Sequence, residues 1–439
     1  MLYGYYENEE KQLYYSDLWI RLCKNSREEL LNYYQINDMN KRNFEKSYLN
    51  DIFSKDIYYS DKKVKEIING VSKIPNATLY KNNVSLDEIY YNNLMDNLNI
   101  ENLREEVKIS YGITIRRTKM KTFPTDDRVF SRVNEYALDR FMESAVYINE
   151  PCMIYCESKD GNWLFCETYY YSGWVKKCDI AVEEKSIIQE YCTNKRYIIV
   201  TGKKILLGYN PIDEELNNLS LDMGIKLFIN ENVKKDELIF DMHSQGNYVV
   251  YFPRRDDTGK LYFSNVLIPF NEDIHEGYLK CSRANILKQI FKFQGERYGW
   301  GGDFYGRDCS SLIIDTLRCF GILFPRNTGD QLRKSIGKAY FFNDDDNYNK
   351  KIDIINSLRP GTLLYLNGHV VMIIGRYKGN TYIIHDTIGV QIIEKKEFGI
   401  DCKKFISING VTISKLKEIY TSSGKSYIDS IVGFKDIFE

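Results

Sequence analysis

Arg307-Asp308-Cys309-Ser310-Ser311-Leu312-Ile313-Ile314-Asp315-Thr316-Leu317-Arg318-Cys319-Phe320 is the stretch on which the reading of this chain turns. Leu312, Ile313, Thr316, Leu317 and Phe320 recur at helical spacing, so a helix is expected over Cys309–Phe320. A cysteine that opens a helix differs from one elsewhere. The positive end of the helix dipole and the free N–H groups favour thiolate over thiol. The N–H of Cys309 is also placed to hydrogen-bond an oxyanion forming at an attacked carbonyl. Cys319, in apolar text near the end of the same helix, reads as a packing residue. A glycine-rich loop, Tyr298-Gly299-Trp300-Gly301-Gly302, leads into the stretch.

Activation of such a thiol calls for an imidazole beside it, giving a thiolate–imidazolium pair. The chain has four histidines, so their settings are informative. His243 and His275 lie in polar, loop-like text and read as exposed. His369 follows Asn367-Gly368 and opens Val370-Val371-Met372-Ile373-Ile374, while His385 closes Tyr382-Ile383-Ile384 just before Asp386. Two histidines at the ends of neighbouring strands form, with Cys309, a constellation for nucleophilic catalysis. Direct pairing of the two would centre the hairpin near Tyr377, whereas a Gly379-Asn380 turn centres it about two residues later. A bulge or a wide loop is therefore required, and the rings share a face only in an even register.

Around this core the chain divides by texture. At about 150 residues per domain, 439 residues suggest two to four domains. Residues 1–106 read as largely helical. Ser26-Arg27-Glu28-Glu29 is a capping-box pattern opening a helix through Leu30, Leu31 and Tyr34, and Ser85-Leu86-Asp87-Glu88 repeats it. From 107 to 182, short strands alternate with turns: Tyr111–Arg116, Ala145–Ile148, Met153–Glu157, Trp163–Thr168 and Ser172–Val175. That is the pattern of a small barrel. Residues 183–279 repeat it with Tyr197–Thr201, Met223–Ile229, Tyr248–Pro253 and Leu261–Leu267, giving two barrels in tandem. Residues 280–439 are α+β, with helices over Ile286–Phe293 and Cys309–Phe320, then strands over Thr362–Leu366, His369–Gly375 and Thr381–Asp386.

Composition removes several classes of function. Sixty Lys+Arg against 61 Asp+Glu leave a formal charge of -1, so no global positive field exists to hold a nucleic acid. No stretch approaches the roughly 18 uninterrupted apolar residues of a membrane-spanning helix. The N-terminus shows no basic region followed by an apolar one. As the sequence stands the cytoplasm is expected, or the cell envelope or exterior if a leader has been omitted. Ten cysteines are too few for a disulfide scaffold. Cys152, Cys156, Cys166 and Cys178 could bind zinc, but only the first pair is close and the text around them reads as core strands. Thirty-six tyrosines fit β-rich modules and polar ligands, and nothing sets an oligomeric state.

Tyr298-Gly299-Trp300-Gly301-Gly302, Asp308-Cys309-Ser310-Ser311-Leu312, Gly368-His369-Val370 and the later His385 together resemble the NlpC/P60 family of papain-like cysteine peptidases. Phe123-Pro124-Thr125-Asp126 with Gly173-Trp174-Val175, and Tyr251-Phe252-Pro253-Arg254 with Gly259, are similar to the two bacterial SH3-like barrels of one subgroup. Asp17-Leu18-Trp19 and Ile36-Asn37 are similar to its helical stabilising segment. The resemblance implies a multidomain α+β chain: a papain-like catalytic domain preceded by two small SH3-like β-barrels and a helical N-terminal segment.

It implies cleavage of peptidoglycan stem peptides or muropeptides, commonly at the γ-D-glutamyl–diamino-acid bond. Cys309 would be the nucleophile, His369 the base and later the acid, and His385 the group that orients His369. Asp308 and Ser310 would help hold the free amine of an N-terminal L-alanine. Tyr298 and Trp300 would contact substrate. Tyr169, Tyr170 and Tyr171 are further candidates, with strand packing as the competing reading. Two features depart from the family pattern: the sixteen-residue separation of the histidines, and Val after His369 where glycine is frequent. The chemistry requires no metal or cofactor. The alternatives are a cell-wall-binding protein with an idle peptidase domain, and an amidase or transferase using the same thioester chemistry.

Overall fold

The structure is a computed structural model that describes residues 11–234, 236–343, 345–395 and 401–438. It divides into two compact units. The first holds residues 11–48, Leu279–Gly299, and the described residues from Phe304 onward. Its centre is a seven-stranded antiparallel sheet. The order is Lys338–Phe341, Ile431–Asp436, Leu363–Leu366, His369–Tyr377, Asn380–Lys395 and Asp401–Lys415, with Ile419–Tyr420 also paired to Asn380–Lys395. Leu364, Val371, Ile373, Ile383 and Ile431 bury together with Tyr427 and Ile428. The helix Cys309–Arg318 packs against the strands that carry the two histidines. Burial of its Leu312, Ile313, Thr316, Leu317 and the following Phe320 follows the expected spacing, and Cys319 is a fully buried packing residue.

The expected helical segment over 1–106 is shared between the two units. Trp19, in the helix Ser16–Leu22, has no exposed surface; its Nε1 donates to the Leu13 carbonyl at 2.7 Å and its ring lies 5.1 Å from that of Tyr382. This anchors residues 11–48 in the unit that contains Cys309. The helices Asp61–Val71 and Glu88–Asn97 instead contribute Ile68 and Leu94 to the core of the second unit. The expected cap at Ser26 is not a helix start. Residues 23–30 run mostly as turns and bends, and Leu31 forms an isolated bridge with Cys281. Backbone bonds draw them to residues 281–284: the Leu30 N–H donates to Cys281 and the Ser26 carbonyl accepts from Ala284. The capping box sits at Asn32 and Gln35, opening Tyr33–Glu45, and Asp87 rather than Ser85 caps Glu88–Asn97.

The second unit spans Leu49–Tyr278 and takes in Trp300–Asp303. It contains a seven-stranded antiparallel sheet in the order Ile180–Glu183, Ser110–Thr114, Pro151–Glu157, Trp163–Glu167, Ser172–Lys176, Thr118–Lys121 and Met142–Val146. A five-stranded sheet follows, ordered Leu261–Pro269, Asn247–Arg255, Lys226–Ile229, Tyr197–Val200 and Ile274–Glu276. Trp174 is buried in the first core and donates to Ser72 Oγ at 3.0 Å, while Ser72 Oγ donates to the Thr122 carbonyl at 2.7 Å. One serine thus ties the end of a helix to the sheet. Cys152 and Cys166 are buried in strands as expected and Cys156 is partly buried, but Cys178 is exposed, outside any strand. His243 and His275 are exposed, though each lies in a short strand rather than a loop. Among the described residues no helix is long and apolar enough to cross a membrane.

Candidate active site

Cys309 is the first residue of its helix because Asp308 caps it. The Asp308 carboxylate accepts from the Ser311 N–H at 2.9 Å, and the Ser311 hydroxyl accepts from the Asp308 N–H at 2.9 Å. This reciprocal box fixes where the helix begins and so where the thiol points. The Val370 N–H lies near enough to the Cys309 sulfur to favour its ionised form, which places the nucleophile close to the residue after His369.

The two histidines meet, His369 Nε2 lying 3.2 Å from His385 Nδ1. Their meeting depends on one inserted residue. The hairpin closes through Lys378-Gly379, one position earlier than expected, with Tyr377 opposite Asn380 and Arg376 opposite Thr381. That turn alone sets an odd register, in which His385 would face Met372 and lie on the sheet face away from His369. A bulge between Ile373 and Gly375 changes this: Ile373 pairs with Ile383 and Met372 with Ile384. The register becomes even and the two rings share a face. They meet on a diagonal rather than directly opposite, because the hairpin is centred one residue beyond Tyr377.

On the far side of His385, Ser414 Oγ lies 3.0 Å from Nε2. His385 pairs with Thr412 and Ile383 with Ser414, so the serine is again a diagonal neighbour on the same face. These contacts define a self-consistent proton arrangement. Ser414 accepts the Nε2–H of His385, His385 Nδ1 accepts the Nε2–H of His369, and His369 Nδ1 keeps the lone pair that a general base needs. Tyr427 stands edge-on to both imidazoles, with ring centroids 6.1 and 5.9 Å away and planes 84° and 86° apart.

Burial dominates the electrostatics. It pushes the Cys309 thiol up to about 12, with Asp308 adding to the effect, and pulls His369 down to about 4. His385, with no exposed surface, is also held well below the ordinary histidine value by burial and by His369 beside it. Burial thus works against both charged forms of the thiolate–imidazolium pair expected at the helix start. Desolvation outweighs the helix dipole here.

Asp308 and Ser310 lie beside the nucleophile. Burial opposes ionisation of Asp308, but the Arg326 guanidinium holds its carboxyl below the usual value. Arg326 bridges both carboxylate oxygens at 3.1 and 2.6 Å and reaches Ser310 Oγ at 2.7 Å. Asp308 is thus already charge-compensated before any amine arrives. Burial raises the Tyr298 phenol above its ordinary value, with Cys309, Asp308 and Asp386 as the nearest negative or ionisable influences. Trp300 belongs to the second unit, where the Arg140 guanidinium lies 5.7 Å from its ring. Tyr170 and Tyr171 are committed within that unit too, donating to the Ala145 carbonyl and to Glu143. Ser414, Tyr427, Arg326 and Asp386 escaped sequence reading; only Asp386, next to His385, carried any local signal.

The NlpC/P60 family model matches residues 295–420, a span that contains Cys309, His369 and His385. These residues form an NlpC/P60 domain. A model for the SH3 domain of SH3b1 type matches residues 128–176, within the seven-stranded sheet of the second unit. The chain is similar to an NlpC/P60 endopeptidase from Photobacterium damselae subsp. piscicida, with a TM-score of 0.73 and 18% identity over 95% of each chain. It is also similar to an NlpC/P60 family protein from Bacillus cereus ATCC 10987, with a TM-score of 0.51 and 17% identity over 75% of this chain and 100% of that one. At such identities the likeness is one of fold: a multidomain chain of mixed helix and sheet that joins an SH3 domain to the NlpC/P60 domain. No curated protein matches the chain.

Proposed function

We propose that the chain is a cysteine peptidase of bacterial cell-wall peptides, acting on the γ-D-glutamyl–diamino-acid bond of peptidoglycan stem peptides or muropeptides. The observation that carries this reading is the series His369, His385 and Ser414, joined by contacts of 3.2 and 3.0 Å, on strands against which the helix opened by Cys309 packs. The NlpC/P60 domain supports the substrate class; the five-stranded sheet is read as a second SH3-like barrel, and the domain itself as a papain-like catalytic fold. Because burial opposes the charged forms of both groups, proton transfer from Cys309 to His369 Nδ1 accompanies attack on the carbonyl. The oxyanion forms near the Cys309 N–H, the leaving amine takes the proton from His369, and water hydrolyses the thioester.

Asp308 and Ser310 contact the N-terminal residue of the substrate, with Tyr298 beside them. The test is mass spectrometry of L-Ala-γ-D-Glu-diaminopimelate and its N-acetylated copy after incubation with the protein. Cleavage of the free-amine peptide is expected. Equal cleavage of the acetylated copy would remove the amine-anchoring role from Asp308, and intact peptides in both reactions would refute the peptidase.

A further inference from the structure

Asp386 follows His385 but points to the other face of the sheet, and it has no exposed surface. Among the described residues neither of its carboxyl oxygens has a hydrogen-bond partner; the Thr387 N–H lies near without reaching hydrogen-bond geometry. The groups around it come from three segments. Glu296 and Tyr298 follow the helix Arg283–Phe291, Arg307, Asp308 and Cys309 lead into the nucleophile helix, and Val411, uncharged, pairs with it across the strands. Arg307 is fully buried and committed to Glu296 at 2.7 Å and Asp315 at 2.6 Å, with its guanidinium 4.3 Å from the Phe293 ring. Arg326 is committed to Asp308. The buried anions Glu296, Asp315 and Asp308 already outnumber these two cations, so a fourth anion would be uncompensated in a medium that penalises it heavily.

We propose that Asp386 is a positioning residue that works as a neutral carboxylic acid within electrostatic reach of Cys309, and that its ionisation opposes formation of the thiolate. Burial first, then Asp308 and Glu296, push its carboxyl up to about 9, in keeping with this geometry. The inference rests on Cys309 being the nucleophile, but its test needs no turnover.

The sign of the linkage is fixed. A carboxyl neutral when folded and ionised when unfolded makes stability fall as pH rises from its unfolded value of about 4 to its folded value. Asp386→Asn removes that loss. The gain in melting temperature of the variant over wild type is therefore expected to be small near about pH 5 and larger near about pH 8. Iodoacetamide labelling of Cys309, followed by peptide mass spectrometry with exposed Cys178 as reference, is expected to show a lower pH midpoint in the variant. A melting difference that does not change with pH, or a Cys309 midpoint that does not move, overturns the proposal. Should the variant not fold, carbon-13 carboxyl shifts of wild type decide it. One aspartate must stay protonated through neutral pH, and titration of every aspartate in the ordinary acid range excludes the idea. Failure of murein-peptide cleavage leaves all of these readouts intact.

Discussion

At the scale of single residues, the site's chemistry is set by how dry it is. His369 must be neutral to act as base, and burial holds its pKa down to about 4. The acid limb of kcat/KM is therefore expected well below the ordinary histidine value of about 6.5, and a limb at that value would contradict the assignment. The same shift has a cost in stability. A histidine neutral when folded takes up a proton on unfolding in acid, so stability is lost as pH falls from about 6.5 toward 4, which melting curves across that range will reveal. Ser414→Ala leaves His385 free to adopt the other tautomer. Loss of one hydrogen bond of about 0.5–1.5 kcal/mol corresponds to a drop of several-fold in kcat, with KM little changed. Cys309 and both histidines were legible because histidines are scarce and because one cysteine opens a helix. Ser414, Tyr427 and Arg326 were not, since each reaches the site through contacts between residues distant in sequence.

At the scale of elements, the decisive feature is the bulge in the strand His369–Tyr377. The strands, their order along the chain and the need for an irregularity were readable from hydrophobic runs and the spacing of the histidines. Its position was not, because it depends on which two residues form the turn. Inserting one alanine after Val371 places it opposite His385 and turns His369 to the other face of the sheet. Turnover is expected to fall to that of Cys309→Ala while far-UV circular dichroism stays near wild type; retained activity would show that the shared face is unnecessary. Gly375, beside the bulge, has φ +148°, and a Cβ there would meet the Trp19 ring at 3.0 Å. Gly375→Ala should cost about 1–3 kcal/mol in denaturant unfolding. Helix starts were less legible than strands: Ser26 carries a cap's sequence, but backbone bonds to residues 281–284 take that segment elsewhere.

At the scale of the whole molecule, the chain is organised by contact rather than by sequence order. Residues 11–48 belong with the NlpC/P60 domain, and residues 49–106 belong with the strands that follow. Composition could not reveal this, because both stretches are helical and polar; what divides them is which core takes Trp19 and which takes Ile68. Trp19→Ala is expected to lower the stability of the first unit by about 3–5 kcal/mol and leave the second unit's transition in place. A single shared shift would instead mean that the units unfold together. The central claim is that the molecule works through an acyl group carried on Cys309. The most direct measurement is the intact mass of the protein, acid-quenched early in its reaction with L-Ala-γ-D-Glu-diaminopimelate. Wild type is expected to gain the mass of the L-Ala-γ-D-Glu acyl group, with the adduct mapping to Cys309, and Cys309→Ala to gain none. Cleavage by the Cys309→Ala variant, or an adduct on another residue, would contradict the account.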